Sequence, residues 1–366
     1  MKKSAIFIAA TDQHVGKTTL CLGILSGLKK RYKTLGFLKP VGQEKVILQD
    51  GHEVDKDAVL FKEYFQMAAS YTEMSPVLCP AGFTRRYLDE EVTENGLLDQ
   101  VKCAWQTMKN QHEFMVVEGT GHVGVGSLFN LNNARVAQAL GIDVVMIAPG
   151  GLGSSFDELA LNIEMCKSHG IRVKGIILNK VYDDKRDMIL EYFPKALKRW
   201  GIPLIGCVPY VPLLLQPSMR DFESLFSSSL LSGAMHRYRH FQEIRLVAGS
   251  LESFVQEMKP NQLVITPACR EDVIIATVGK HIRSMHEQNI DFGGGLILTD
   301  HNAPRSELIQ RIKNVDIPIL YAPHSSFDVM KKIASFTAKI RQEDTKKVEE
   351  AINVVERYVD FDALCQ

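Results

Sequence analysis

Nowhere in the 366 residues does a run of about 20 consecutive apolar side chains occur, so the sequence predicts no transmembrane helix. There is no net charge either: 43 Lys and Arg balance 43 Asp and Glu. Nothing therefore draws the chain broadly to nucleic acid or to an anionic membrane, although a local basic patch remains open. The seven cysteines are scattered, odd in number and without a C-x-x-C pair, which excludes a disulfide framework and predicts reduced thiols in the cytoplasm. His14, His122 and His301 lack metal-ligand spacing, so no zinc is expected. A G-x-S-x-G nucleophile elbow is missing; "GLGSSFDE" (151–158) reads instead as a loop with Ser155 capping the next helix. "GHVGVG" (121–126) is neither the full dinucleotide fingerprint nor placed after a first strand. Cys269 reads as a small apolar residue rather than a reactive thiol. Low-complexity segments and short repeats are also absent.

The opening "MKKSAIFIAA" resembles a secretory signal in outline, but its apolar run of about seven residues is too short, and a buried first strand explains it better. Similar runs recur at 34–40, 114–119, 143–150, 173–180 and 204–209, alternating with helical stretches at 18–32, 57–65, 132–140, 155–169 and 185–200. Continuous apolar strands alternating with helices predict a parallel sheet covered on both faces. After the proline-bearing segment 208–219 the alternation resumes, with strands at 244–249, 262–268, 294–300 and 317–323, so a second, smaller α/β domain is expected. A charged helix over 342–359, with Val348, Ile352, Val355 and Val359 at helical spacing, is expected to dock by one face.

Within the first junction, "ATDQHVGKTT" (10–19) ends like a Walker A motif. The strict pattern wants glycine five positions before Gly16, where Thr11 stands. Context carries the assignment: a buried strand precedes the loop and a helix-forming stretch succeeds it, so backbone N–H groups and the helix dipole converge on a phosphate. Lys17 is expected to neutralise phosphate charge and the Thr18 hydroxyl to bind Mg²⁺. Lys39 closes the second strand and Glu118 another, at the carboxyl edge where ligands of open α/β sheets bind. Glu118 suits a Walker B acid, and Asp57 is a candidate third metal ligand.

"ATDQHVGKTT", "LKPVGQ", "VVEGTGH" and "ILNK" resemble, in order and spacing, the dethiobiotin synthetase-like ATPases over about residues 4–215. The remainder of the chain resembles a DRTGG domain, and the two together look like the N-terminal regulatory half of long bacterial phosphotransacetylases. The resemblance implies a P-loop NTPase-like doubly wound parallel sheet (1–215), a smaller DRTGG-like α/β domain (216–335) and a helical tail (336–366). It also implies ATP and Mg²⁺ as ligands. Thr11, Asp12, Gln13, His14, Val15, Gly16, Lys17, Thr18 and Thr19 would hold the phosphates, Asn179 would meet the adenine edge, and Thr18, Asp57 and Glu118 would hold magnesium. Lys17 and Lys39 would stabilise charge during phosphoryl transfer. The acetyl-transferring domain of those relatives is not expected within residues 1–366.

Departures from the pattern bear on the acceptor and on the second domain. Ala10 replaces the leading glycine, while Gln13 and Gln43 replace hydroxyl residues that face the organic substrate in the synthetases, which alters the acceptor pocket. In the second domain Ala268 and Cys269 stand where Gly-Asp is typical, and Asp300-His301 replace a Gly-Gly pair. The leading expectation is an ATP- and Mg²⁺-binding regulator, at most a slow ATPase, that forms a homodimer and acts beside a protein of acyl-phosphate metabolism. The alternatives are an ATP-dependent ligase, carboxylase or amidating synthase of the dethiobiotin or cobyrinate diamide type, and a non-catalytic dimer scaffold.

Overall fold

In the computed structural model, residues 4–48, 50–92 and 96–366 are described, so Lys2 and Lys3 of the opening segment lie outside them. The described chain divides into two units, residues 1–211 with 340–366 and residues 212–339. No described helix is long and apolar enough to cross a membrane.

The apolar runs of the first unit form six strands: β1 (Ser4–Ala10), β2 (Leu35–Leu38), β3 (Phe114–Glu118), β4 (Val144–Pro149), β5 (Val173–Val181) and β6 (Leu204–Pro209). Their order across the sheet is β6-β5-β4-β1-β3-β2. Every pairing is parallel. Helices α1 (Lys17–Leu28), α2 (Lys56–Phe65), α3 (Leu97–Gln111), α4 (Asn133–Leu140), α5 (Gly153–Ser168) and α6 (Asp183–Leu197) connect them. Burial on both faces is why the strands lack alternation: Ile6 through Ala10, and Val145 through Ala148, have no exposed surface. The chain runs from β1 outward to β2, returns to β3, then crosses β1 to β4. Strand order thus reverses around β1, and the crevice at the carboxyl ends there is the natural ligand position.

In the second unit, β7 (Leu230–Ser232), β8 (Glu243–Leu246), β9 (Gln262–Pro267), β10 (Gly295–Thr299) and β11 (Ile319–Tyr321) pair in the order β7-β11-β10-β9-β8. Only β7 runs antiparallel to its neighbour. Alternate residues of the central strands feed two cores. Val264, Leu296 and Leu298 pack with Val273 and Ile274 of helix α8 (Glu271–Gln288). Leu263, Ile265 and Ile297 pack with Phe222 and Phe226 of α7 (Met219–Phe226) and Val329 of α9 (Ser326–Ala334). Asp300, which stands where glycine is typical, takes φ +110°, so the position still demands a left-handed backbone. It is held there by the Tyr321 hydroxyl, which donates to its carbonyl at 2.9 Å, and by the His301 N–H, which donates to its carboxylate at 2.6 Å.

The C-terminal helix α10 (Thr345–Tyr358) returns to the first unit and lies along α1. Close approach is possible because Gly23 and Gly27 present no side chain. A Cβ on Gly23 would lie 2.2 Å from Val355 Cβ, and one on Gly27 2.3 Å from Phe361 Cζ. Ser26 donates to Glu356 at 2.8 Å, and Val359 makes an antiparallel bridge to Gly206 of β6. One sequence expectation changes: Ser155 is not a cap. Helix α5 begins at Gly153, and the Ser155 hydroxyl donates to Pro149 O at 2.6 Å.

Candidate functional site

β1 ends at the carboxyl edge, and the Thr11 N–H donates to Ile147 O of β4 at 2.9 Å, so the loop after β1 starts between two central strands. His14 (φ 57°) and Gly16 (φ 106°) supply the left-handed turns that bring Lys17 to the first position of α1. Gly16 suits the place twice over: its φ of +106° strains any larger residue, and a Cβ there would lie 2.3 Å from Asn179 Nδ2, displacing that amide. Asp12, Gln13 and His14 are exposed along the loop, Val15 is buried, and Thr19 lies in the first turn of α1.

Five of the residues singled out from sequence meet behind that loop. Lys17 Nζ donates to Gly121 O at 2.7 Å and reaches Asp12 O at 3.4 Å. Thr18 Oγ1 donates to Glu118 Oε1 at 3.0 Å. Lys39 Nζ lies 2.8 Å from both Glu118 Oε1 and Asp57 Oδ2, with side-chain exposures of 5% for Lys39, 1% for Glu118 and 21% for Asp57. The other carboxylate oxygen, Glu118 Oε2, is buried and has no hydrogen-bond partner. The Cys21 thiol is a further neighbour of this carboxylate. No group of three His, Cys, Asp or Glu side chains is arranged for a metal among the described residues. Mg²⁺, however, usually takes only one or two protein oxygens and completes its shell with water and phosphate. Thr18 Oγ1 and the Glu118 carboxylate fit that donor set.

The electrostatics of the cluster follow from burial. Desolvation, and then the neighbouring Lys39 ammonium, lower the Lys17 pKa to about 8. Burial also opposes charge on Lys39, but Asp57 and Glu118 outweigh it and hold its pKa well above the ordinary lysine value. Burial raises the Glu118 carboxyl, with Lys39 pulling the other way. Asp55, which caps α2 by accepting from the Asp57 N–H at 2.9 Å, is raised to about 7 by burial and by Asp57. Cys21 sits fully buried beside the cluster, where desolvation and Glu118 push its thiol far up.

Several fastenings were not legible as site residues in the sequence. Asn133 at the start of α4 accepts from the Thr120 N–H at 3.0 Å and donates to the carbonyls of Thr120 (2.9 Å) and His122 (2.8 Å), fixing the loop after β3. Asn162 of α5 accepts from the Val123 N–H at 3.1 Å and donates to Thr11 O at 3.3 Å, joining that loop to the first one. Glu158, one turn earlier, accepts from the Thr11 hydroxyl at 2.8 Å. On the other flank Asn179 Nδ2 donates to Val15 O at 2.8 Å and Lys180 Nζ to His14 O at 2.6 Å. The structure thus places Asn179 against the loop itself.

The AAA domain family matches residues 4–218 and the DRTGG domain matches residues 224–336. The chain belongs to the AAA domain family. Its dethiobiotin synthetase-like P-loop unit precedes a DRTGG domain, and the fold is that of a P-loop NTPase-like parallel sheet joined to a smaller α/β domain. A phosphate acetyltransferase of Pseudomonas aeruginosa is 26% identical over 379 residues, covering 98% of this chain and 51% of the relative. The ATP-dependent dethiobiotin synthetase of Bacillus subtilis subsp. natto is 26% identical over 206 residues, 56% of this chain and 86% of that protein. The MinD cell division protein of Aquifex aeolicus superposes with a TM-score of 0.36 at 16% identity, covering 58% of this chain and 84% of that one. The chain spans about half the length of the phosphate acetyltransferases it matches.

Proposed function

We propose that the first unit binds a magnesium nucleoside triphosphate, ATP by default, and that occupancy of this site has a regulatory output. The observation that carries the reading is the buried Glu118 carboxylate bonded through Oε1 to the Thr18 hydroxyl, at the N-terminus of a helix whose first residue is Lys17. On this reading the amides of Thr11 through Thr19 and the Lys17 ammonium hold phosphate oxygens, and Thr18 and Glu118 hold the metal, with Asp57 reaching it through water. Magnesium would supply charge neutralisation between phosphates. Lys39 keeps Glu118 and Asp57 fixed in the free protein and is available to a transferring phosphoryl group. Asn179 lies where the base would reach the loop.

A regulatory output requires that nucleotide bind one arrangement of the protein more tightly than another. The DRTGG domain and the half-length similarity to phosphate acetyltransferases support this reading, with a homodimer in the cytoplasm beside an acyl-phosphate enzyme. Titration of MgATP into wild type and Lys17→Ala, with hydrolysis measured on the same samples, tests it. Binding lost in the variant, with little turnover in wild type, is the expected result. Unchanged affinity in Lys17→Ala overturns it.

A second reading is favoured by the buried Lys39–Glu118 pair and the dethiobiotin synthetase similarity: phosphoryl transfer to an organic acceptor. ATP turnover stimulated by an added diamino acid or polycarboxylate would move this reading ahead.

A further inference from the structure

The outer edge of β6 carries a cleft of about 360 Å³ that has no part in the phosphate site. β6 is an edge strand, three strand spacings or about 14 Å from β1, whose end carries the phosphate loop. Arg186 and Leu190 of α6 line the cleft, with Leu204 to Cys207 of β6 and Arg357 to Asp360 at the end of α10. The tail meets the strand through the Gly206–Val359 bridge, and the Asp360 N–H donates to Ile205 O at 2.8 Å. Leu190 keeps 41% of its surface exposed, so an apolar wall stands open beside two cations.

One ring places both cations. The guanidinium carbon of Arg186 lies 4.6 Å from the centre of the Tyr358 ring, and that of Arg357 lies 5.4 Å from it. The two charges are therefore no farther apart than those distances combined, a span that one phosphoryl group bridges with hydrogen bonds of about 2.8 Å on each side. Arg186 Nη1 also donates to Cys207 O at 2.6 Å. Among the described residues, neither guanidinium forms an ion pair with a carboxylate. Stacking holds a guanidinium by its face and leaves the N–H donors in its plane available. The Asp360 carboxylate, on the same lining, caps the last helical turn, accepting from the N–H groups of Asp362 at 2.9 Å and Ala363 at 3.0 Å. Two cations fixed near each other without a counter-charge favour an anion between them.

We propose that this cleft binds a phosphate monoester of a small, partly apolar molecule, with the phosphoryl group between Arg186 and Arg357 and the body against Leu190 and Leu204. A dianion matches two guanidiniums, whereas a carboxylate carries charge for one. Arg186 belongs to the helix that follows β5 and Arg357 to the C-terminal tail, so the ligand ties the tail to the edge of the sheet. The site is independent of the nucleotide reading of the first unit, because none of its residues touches the phosphate loop.

Calorimetric titration of butyl phosphate, butyrate and inorganic phosphate into the full chain, without magnesium, tests this in wild type, Arg357→Gln, Arg186→Gln and Lys17→Ala. Wild type should bind butyl phosphate about tenfold more tightly than either butyrate or inorganic phosphate, since only butyl phosphate has both the dianion and the apolar body. Arg357→Gln, an exposed position, should fold normally and bind butyl phosphate about tenfold more weakly, with Arg186→Gln weakened at least as much. Lys17→Ala should bind it within about twofold of wild type. Butyl phosphate should also slow proteolytic release of the tail in wild type and leave the rate unchanged in Arg357→Gln. Wild-type affinity in Arg357→Gln overturns the site, as does butyl phosphate binding that is lost in Lys17→Ala, which would place the ligand in the phosphate loop. Equal affinity for butyrate overturns the dianion assignment, and a wild type that binds no butyl phosphate overturns the whole.

Discussion

The hydroxyl of Thr11 donates to Glu158 Oε2 at 2.8 Å, across 147 residues of chain. Thr11 occupies the place where a strict phosphate-loop pattern has glycine, and its carbonyl also accepts from Asn162 one turn further along α5. The missing glycine is therefore not a defect in the loop: the side chain that replaced it is used to anchor the loop to a helix. Thr11→Val removes the donor and leaves a half-buried carboxylate short of a partner. It should destabilise the first unit by about 1.5–3 kcal/mol, the range for hydrogen bonds to charged groups. Denaturant unfolding reads this directly. Thr11→Gly, which restores the strict pattern, should lose the same anchor and bind nucleotide no better than wild type.

Lys39 is the buried cation between Asp57 and Glu118. Replacing it by Met keeps the length of the side chain and removes the ammonium that bridges Glu118 and Asp57, leaving the 1%-exposed Glu118 without its cation. Breaking such a pair costs about 3–5 kcal/mol. Lys39→Met should therefore be far less stable than Lys17→Met, because Lys17 makes bonds only to backbone carbonyls. Added magnesium should recover part of the loss in Lys39→Met, a shift that thermal unfolding with and without the metal detects.

Nucleotide affinity should depend on pH through Lys17. Burial and Lys39 hold its pKa at about 8 in the free protein, against 10.5 for an ordinary lysine. A bound phosphate favours the charged amine and raises the pKa again. Between about pH 8 and 10.5 the complex then carries more protons than the free protein, so binding takes up a proton and weakens as pH rises. Calorimetry at pH 7 and pH 9.5, in buffers of different ionisation enthalpy, should show this uptake. Lys17→Arg, which cannot lose its charge in this range, should show no uptake.

Much of the first unit was legible because the signals were local. The six apolar runs ended within one or two residues of the observed strands, and the candidate set could be named from local signals: Lys17 and Thr18 from the Gly-Lys-Thr loop, Lys39 and Glu118 from strand ends, and Asp57 from the head of a helical stretch. Helix α3 is weakly announced by its sequence although Leu97, Val101, Ala104, Trp105 and Met108 recur at helical spacing, because its start at Gly96 carries no side-chain cap. The short antiparallel β7 has only three residues and no hairpin turn to announce it. Glu158, Asn133 and Asn162 were invisible for a different reason. Each acts across a gap of at least 11 residues on a loop that becomes its neighbour only once the sheet has formed. The two glycines of α1 read as poor helix residues until the tail that fills their places is known.

Those glycines make the next prediction. Gly23→Ala puts a methyl group where Val355 already stands, at a separation no real pair of carbons adopts. Overpacking of this type costs about 1–3 kcal/mol. Here it should act by lifting α10 from α1, so limited proteolysis should cut the tail faster in Gly23→Ala. The double variant Gly23→Ala with Val355→Ala should regain little of the lost stability, since the closest contact, 2.2 Å, is to the Val355 Cβ that alanine keeps.

His281 ties the stability of the second unit to pH. Its ring is buried on α8, neither nitrogen has a hydrogen-bond partner, and its Nδ1 lies 3.6 Å from Asp291 Oδ1. The Asp291 carboxylate is already engaged by Arg239, which also donates to Gly294 O at 2.8 Å. Desolvation lowers the His281 pKa below 6.5, with Asp291 opposing and Arg239 assisting. The unfolded chain then binds more protons than the folded one as pH falls below about 6.5. The stability that goes with a neutral, buried imidazole is present above that value and is lost as pH drops through the folded pKa. Thermal unfolding from pH 7.5 down to pH 5 should show a second transition that moves to lower temperature with acid. His281→Leu should flatten that slope, and an unchanged slope in the variant would overturn the assignment to His281.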